Sequence, residues 1–377
     1  MKQKEYFGDN TINKLRNILE KEKPKKILLI TGKKSFTKSG AKKKIIPYLE
    51  NYKYAHFNNV PKIPLFEEVK KVTRMIVKEK CDLVIAVGGG GVIDFAKAVN
   101  ILAFQKNSPS ECIKNQKKIT NCGKPMIAIP TTAGSGSEST HFAVIYFKNK
   151  KYSIANKFIL PKYAIIEPSF TYNVPKKIIA TAGIDALCQA IESYWSVNSS
   201  VKSRKYSEES IKIILKNLVK AVNTSDKKSK NKMVKASNLA GKAINITKTT
   251  GPHALSYPLT YSFGIIHGQA VSVFLGEFFI FNSELTQTTI AKSLQIKEYE
   301  MRFKKLLRIL EVNNPTSAKN KILELVLKIH LKPKLSELGI QKKDLQKIVN
   351  NVNYERLTNN PKKVKLTDLK KIVLSVF

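Results

Sequence analysis

Three short apolar runs, each released into a loop of small residues, most constrain what this chain can fold into. They are KILLIT (26–31), DLVIAV (82–87) and MIAIP (126–130). A strand with one wet face alternates polar and apolar residues, whereas a strand covered on both faces does not. Continuous aliphatic runs of this length therefore predict a parallel sheet sandwiched between helices. Helical sequence fills the intervals, over 43–50 and again from Pro64, where Val69, Val72 and Ile76 share one face. Strand and helix alternating in this way predict a doubly wound α/β domain. The later runs Phe142–Phe147 and Tyr163–Ile166 read as further strands that make the sheet mixed.

The loops carry the chemistry. The first run ends in Gly32-Lys33-Lys34-Ser35, and the second in Gly88–Gly91, which opens into the helix VIDFAKAVN with Asp94 and Lys97 in its first turns. The third ends in TTAGSGSE, Thr131 to Glu138. Glycines let a backbone approach an anion closely, and the free N–H groups and dipole of a helix start face it. The glycine loop matches neither the dinucleotide fingerprint nor a Walker A loop, and by itself it also suits a flexible turn. Two such loops after two strands of one sheet predict an elongated ligand with a pyrophosphate, lying across the strand ends.

After Pro175 the periodicity is helical to Phe377, with polar breaks near Asn198–Ser200, 226–230 and 313–315. The chain is thus expected to divide into an α/β dinucleotide-binding domain over 1–175 and an all-helical domain over 176–377. Within the helical half, TTGPHALSYPLTYSFGIIHG (249–268) holds two of the five histidines, His253 and His267, fourteen residues apart. Pro258 and Gly264 are expected to break the helix between them, so that two helix ends fold back and bring the imidazoles together. Asp185 and Gln189, at i and i+4, share a helix face upstream. Asp, His, His and one amide oxygen form a plausible divalent-metal set with room for substrate. The same histidines also suit hydrogen-bonded core positions.

Composition excludes several classes. The net charge is 67 − 28 = +39, yet the lysines are scattered in ones, twos and threes without an aromatic-basic motif. No specific nucleic-acid partner is expected, only non-specific polyanion binding at low salt and steering of a small anionic substrate. Cys81, Cys112, Cys122 and Cys188 form no CxxC pair and read as reduced thiols. The first residues lack an apolar signal core, and the most apolar run, AVSVFLGEFFIF, is short and interrupted by Glu277. A cytoplasmic protein without a membrane segment is expected.

Taken in order, VGGGGVIDFAK, PTTAGSGSE, GIDALCQAIESYWS and PHALSYPLTYSFGIIHG resemble the four signatures of the iron-containing (group III) alcohol dehydrogenases. The likeness continues into LSELGI and NNPKKVKLTDLKKI near the C-terminus. The resemblance implies an α/β dinucleotide-binding domain joined to an all-α metal-binding domain (the dehydroquinate synthase-like fold), hydride transfer between nicotinamide and an alcohol/aldehyde pair, and a homodimer. By that resemblance Gly89, Gly90, Gly91 and Asp94 hold the pyrophosphate. Thr131, Thr132 and Ser135 line the cofactor, and Lys151 approaches the nicotinamide-side ribose. Asp185, His253 and His267 match the metal ligands, with Gln189 where the family has a second-position histidine. Fe2+ is the implied ion, but a neutral amide oxygen is a weaker donor than imidazole and opens the site to Zn2+ or another divalent ion. Tyr257 replaces a family histidine and serves either as a proton donor or as a spacer. Gly32, Lys33 and Lys34 stand where many members carry an acid that repels a 2′-phosphate, which favours NADPH over NADH. Ile63 replaces an asparagine on the adenosine side.

Within the family, DALCQAIESYWSVNS and KTTGPHALSYPLT most resemble the phosphonoacetaldehyde reductase (hydroxyethylphosphonate dehydrogenase) branch. That implies a small anionic aldehyde as substrate. Lys248, five residues before His253, and Arg204 are the cations expected to meet a phosphonate dianion, although both also suit an ordinary lysine-rich surface. The reaction implied has the metal on Asp185, Gln189, His253 and His267 polarising the aldehyde oxygen. Water, a ribose hydroxyl or Tyr257 supplies the proton, with Lys248 and His267 at the catalytic centre. The alternatives are a general short-chain aldehyde/alcohol dehydrogenase, a lyase-type relative, and a non-catalytic polyanion binder.

Overall fold

The apolar runs become strands whose burial accounts for their composition. Every residue is buried in β2 (Ile27–Thr31), β4 (Leu83–Gly88) and β5 (Met126–Pro130). The structure, a computed structural model, describes residues 3–377 apart from 62, 149, 225, 292 and 293. The three strands join β1 (Lys4–Phe7), β3 (Tyr54–Phe57) and β8 (Tyr163–Ile166) in a six-stranded sheet of order β1-β8-β5-β4-β2-β3. All its pairings are parallel. Leu28, Ile30, Val84 and Ala86 pack toward the helices Phe66–Lys78 and Gly90–Leu102. Their neighbours Ile27, Leu29, Leu83 and Ile85 pack toward Lys14–Glu22 and Ala41–Leu49. Helices cover both faces, so no strand position is left for water to make polar.

The sheet is parallel throughout, not mixed. Phe142–Phe147 (β6) pairs antiparallel with β7 (Lys150–Ala155) in a separate two-stranded hairpin, and only β8 of the two late runs enters the main sheet. β6 is half-covered along its length, which a hairpin tolerates and a central parallel strand does not. From β2 the chain passes through Ala41–Leu49 to the edge strand β3, while from β4 it passes through Gly90–Leu102, on the opposite face, to β5. The strand order reverses between β2 and β4, and a ligand crevice is expected at the carboxyl ends on either side of such a reversal.

Lys97 fixes this end of the sheet. It lies on Gly90–Leu102 and is 1% exposed. Its ammonium donates to the Ser137 carbonyl and hydroxyl (3.1 Å to Oγ), to the Thr140 carbonyl (2.8 Å) and hydroxyl (3.0 Å), and to the Phe142 carbonyl (3.1 Å). The Asp94 carboxylate is 3.9 Å away. Burial pulls the ammonium down to about 8, against the attraction of Asp94 and Glu138. One cation therefore ties the glycine-loop helix to the loop after β5 and to the start of the hairpin.

Residues Met1–Val174 and Pro175–Phe377 form two compact units. The second is built from helices, chiefly Lys176–Trp195, Val201–Asn223, Lys227–Thr247, Gly251–Phe263, His267–Ser283, Ile296–Ile309, Pro315–Lys328 and Leu366–Ser375. Trp195, the only tryptophan, is fully buried edge-on against Phe279, with ring centres 5.1 Å apart. All four cysteines are free thiols. Among the described residues no helix is long and apolar enough to cross a membrane.

Removing the cation would strand Asp94 and several carbonyls in the interior. Lys97→Met is expected to lower the stability of the N-terminal unit by about 3–5 kcal/mol, the usual cost of leaving a buried charge unpaired. Hydrogen exchange of the amides in β4 and β5 measures it.

Candidate metal centre and dinucleotide loops

In the N-terminal unit, register places the loops together. Thr31 pairs with Val87 and Gly88 with Pro130, so the chain leaves β2, β4 and β5 along one edge of the sheet. Gly89 caps the Gly90–Leu102 helix in an extended conformation. A Cβ on Gly90 would overlap the Ser135 hydroxyl, and one on Gly89 would lie 3.2 Å from Thr132 Oγ1. The two loops touch because those glycines have no side chain. Thr131 N–H donates to the Gly88 carbonyl at 3.0 Å, and its buried Oγ1 makes no hydrogen bond among the described residues. Gly32 lies beside Val92 of the same helix, while Lys33 and Lys34 are exposed.

Asp94, which the resemblance places at the pyrophosphate, turns its carboxylate to donors of the protein itself. Its Oδ1 accepts from the Ser137 hydroxyl and its Oδ2 from Val144 N–H at 3.0 Å, while burial pushes its carboxyl upward. The carboxylate braces the second loop and the hairpin. Lys151, opposite Tyr146 in β7, lies close enough for its charge to act on that carboxylate.

In the helical unit, Lys176–Trp195 turns Asp185, Gln189 and Glu192 to one buried face. Gly251–Phe263 carries His253 and Tyr257 one turn apart, and Pro258 sits inside this helix without breaking it. The break falls at Gly264 alone, whose φ of 67° ends the helix in the left-handed region. His267 is the first residue of the next helix. The two imidazoles meet edge to face, with ring centres 5.3 Å apart. Gly268 makes this possible, because a Cβ there would overlap the Thr181 carbonyl oxygen of the Asp185 helix.

Asp185, His253 and His267 offer ligand atoms that all lie within 4.8 Å of one another. Asp185 Oδ1 is 3.4 Å from His253 Nε2, an ion-pair contact without hydrogen-bond geometry. Gln189 Nε2 donates to Asp185 Oδ2 at 3.1 Å, which leaves Gln189 Oε1 buried with no hydrogen bond among the described residues. Two buried oxygens without hydrogen bonds beside two imidazoles are what a divalent cation would satisfy, so the residues fit such an ion. Burial alone would lower the His253 imidazole, but Glu192 and Asp185 raise it to about 9. Without metal the ring is therefore a cation between two carboxylates; an ion at Nε2 would displace that proton.

The remaining expected residues are spread more widely. Tyr257 is buried with its ring centre 6.2 Å from that of His267. Burial raises its phenol, against hydrogen bonds from Arg356 and Thr249. Lys248 points its ammonium at Glu355, 3.7 Å away. Its backbone, at φ 60° and ψ −177°, occupies a region almost confined to glycine, so the turn that delivers Thr249 and Thr250 is strained. Arg204 is half-buried on Val201–Asn223, where its charge acts on Tyr194.

Two residues escaped the sequence reading. Glu192 binds the far side of the His253 ring, and Arg356, 5% exposed, binds Tyr257. Glu192 carried a readable signal, since it continues the Asp185, Gln189 face by a further turn. Arg356 carried none, because only the fold brings NYERL to the Tyr257 helix.

Comparison with known proteins bears on both units. Residues 3–168 match the family "Iron-containing alcohol dehydrogenase", and residues 179–377 match "Fe-containing alcohol dehydrogenase family, C-terminal". The chain belongs to the iron-containing alcohol dehydrogenase family. It is 37% identical over 229 residues to long-chain-alcohol dehydrogenase 1 of Geobacillus thermodenitrificans, a stretch covering 60% of this chain and 58% of that one. It is 29% identical over 225 residues to phosphonoacetaldehyde reductase of Streptomyces viridochromogenes, covering 57% of each. These alignments thus span less than two thirds of either relative. The crystal structure of sulfoacetaldehyde reductase from Bifidobacterium kashiwanohense in complex with NAD+ superposes with a TM-score of 0.87 and 27% identity, covering 99% of this chain and 96% of that one.

Two predictions follow from the geometry of the helical unit. Gly268→Ala is expected to force the His267 helix off the Asp185 helix and cost about 1–3 kcal/mol as overpacking, read by Trp195 fluorescence during urea unfolding. For His253 the folded value lies above the unfolded one. Its contribution is therefore fully present below pH 6.5 and lost as pH rises through about 9. In metal-stripped protein the urea midpoint should fall across that window, and His253→Gln should flatten the fall.

Proposed function

We propose that the chain is a metal-dependent, NAD(P)H-linked alcohol dehydrogenase that works as an aldehyde reductase, with phosphonoacetaldehyde as substrate and 2-hydroxyethylphosphonate as product. The observation that carries the reading is the Asp185, His253, His267 cluster with its unsatisfied oxygens on Asp185 and Gln189. When bound, the dinucleotide supplies the hydride and the divalent ion, Fe2+ by family or Zn2+ given Gln189, supplies Lewis-acid polarisation of the carbonyl oxygen.

The chain's own residues do the rest. Asp185, Gln189, His253 and His267 hold the ion, while Gly89, Gly90 and the helix start behind them offer N–H groups to the pyrophosphate. Thr131, Thr132 and Ser135 line its other side. Lys33 and Lys34, exposed after β2, favour a 2′-phosphate and hence NADPH. Tyr257, kept protonated by burial, is a proton donor at neutral pH. Arg356 donates to the Tyr257 oxygen and gives a phosphonate a buried cationic partner, a role that suits it better than Lys248, which is engaged by Glu355. A homodimer acting in the cytoplasm completes the proposal.

A second reading, a general alcohol dehydrogenase, is favoured by the higher identity to the long-chain enzyme. The test combines metal analysis of the purified protein with NADPH and NADH oxidation on phosphonoacetaldehyde and on butanal. His267→Ala is expected to lose the metal and abolish aldehyde reduction while still binding NADPH. Undiminished turnover in that variant would sink the metal-centre assignment, and a higher kcat/KM for butanal would move the enzyme to the second reading.

A further inference from the structure

Glu192 is wholly excluded from solvent, and burying a carboxylate costs several kcal/mol unless its oxygens are satisfied. Both are. Oε2 accepts the Thr250 backbone N–H at 2.6 Å and the Thr250 hydroxyl at 2.9 Å. That hydroxyl in turn accepts from Trp195 Nε1 at 2.9 Å. Oε1 takes His253 Nδ1, while Nε2 of the same ring faces Asp185 Oδ1 at 3.4 Å. Thr250 is the residue that caps the helix carrying the ring. One carboxylate therefore holds both the imidazole and the first turn of its helix.

An ionised carboxylate only accepts hydrogen bonds, so the nitrogen facing Glu192 must carry a proton; when a metal displaces the second proton of the ring, the lone pair it needs is therefore on the opposite nitrogen. We propose that Glu192 is the positioning residue of the metal centre: it locks His253 as the Nδ1–H form and presents Nε2 to a divalent cation. This rests on the metal reading above.

In Glu192→Gln the amide keeps the shape, but half of its end donates, so an N–H must meet either Thr250 or His253. Thr250 offers two donors fixed by the helix start, so the amide oxygen stays with them and the NH2 turns to the ring. His253 then accepts at Nδ1 and moves its proton to Nε2, where it blocks the ion.

The experiment uses the full chain, metal-stripped, with 15N-labelled histidine and added Zn2+. In the wild type, the long-range 15N–1H spectrum is expected to show His253 protonated at Nδ1 and metal-bound at Nε2. Glu192→Gln is expected to weaken Zn2+ binding, measured against a competing chelator, by about 10–100-fold, the usual effect of losing such a partner. Thr250→Val keeps the N–H and removes only the hydroxyl; it should melt lower yet retain its Zn2+ affinity, which a purely structural role for Glu192 would not allow. Zn2+ held through Nδ1, or undiminished affinity in Glu192→Gln, overturns the inference while leaving the metal reading intact. A wild-type chain that takes up no divalent ion removes both. Should Glu192→Gln fail to fold, the wild-type spectrum decides.

Discussion

Two carboxylates on one buried helix face, Asp185 and Glu192, converge on a single imidazole, and the site in the helical unit is arranged around that charge problem. Neither group can be hydrated where it lies, so each must find protons or a cation. His253 answers both, one nitrogen to each carboxylate. The answer holds only if the helix of His253 starts at the right place and the helix of His267 comes close enough. The first condition is met by the Thr250 cap, and the second by the bare backbone of Gly268 against Thr181.

The N-terminal unit solves a similar problem with the polarity exchanged. There a single ammonium, Lys97, collects the carbonyl oxygens that the loop after β5 cannot pair within a sheet, and Asp94 offsets its charge. The loops that line the strand ends are held by this buried ion pair and by glycine contacts instead of by regular secondary structure. In both units, buried charge fixes the segments that carry the candidate site residues, while aliphatic packing fixes the elements behind them.

How far the sequence could be read follows from the same division. The central strands were legible because burial on both faces leaves a continuous apolar run, as in β2, β4 and β5. The edge strands KEYF and YAHF were not, since half-exposed residues give a mixed pattern that resembles a loop. Phe142–Phe147 looked like a sheet strand because burial alone does not say which partner a strand takes. Pro258 was read as a break, yet the surrounding helix accommodates it. The candidate ligands could be picked out as residue types in an unusual setting, with the family likeness naming their partners. Arg356, by contrast, reaches Tyr257 across about a hundred residues of chain, a distance over which local sequence carries no sign of contact.

The unsatisfied oxygen of Gln189 has a consequence for descent. Glutamine and histidine codons differ only at the third base, so a single transversion exchanges an amide for an imidazole at that position. One base change would therefore exchange the donor beside Asp185, His253 and His267 while leaving those three residues and the helices that carry them as they are.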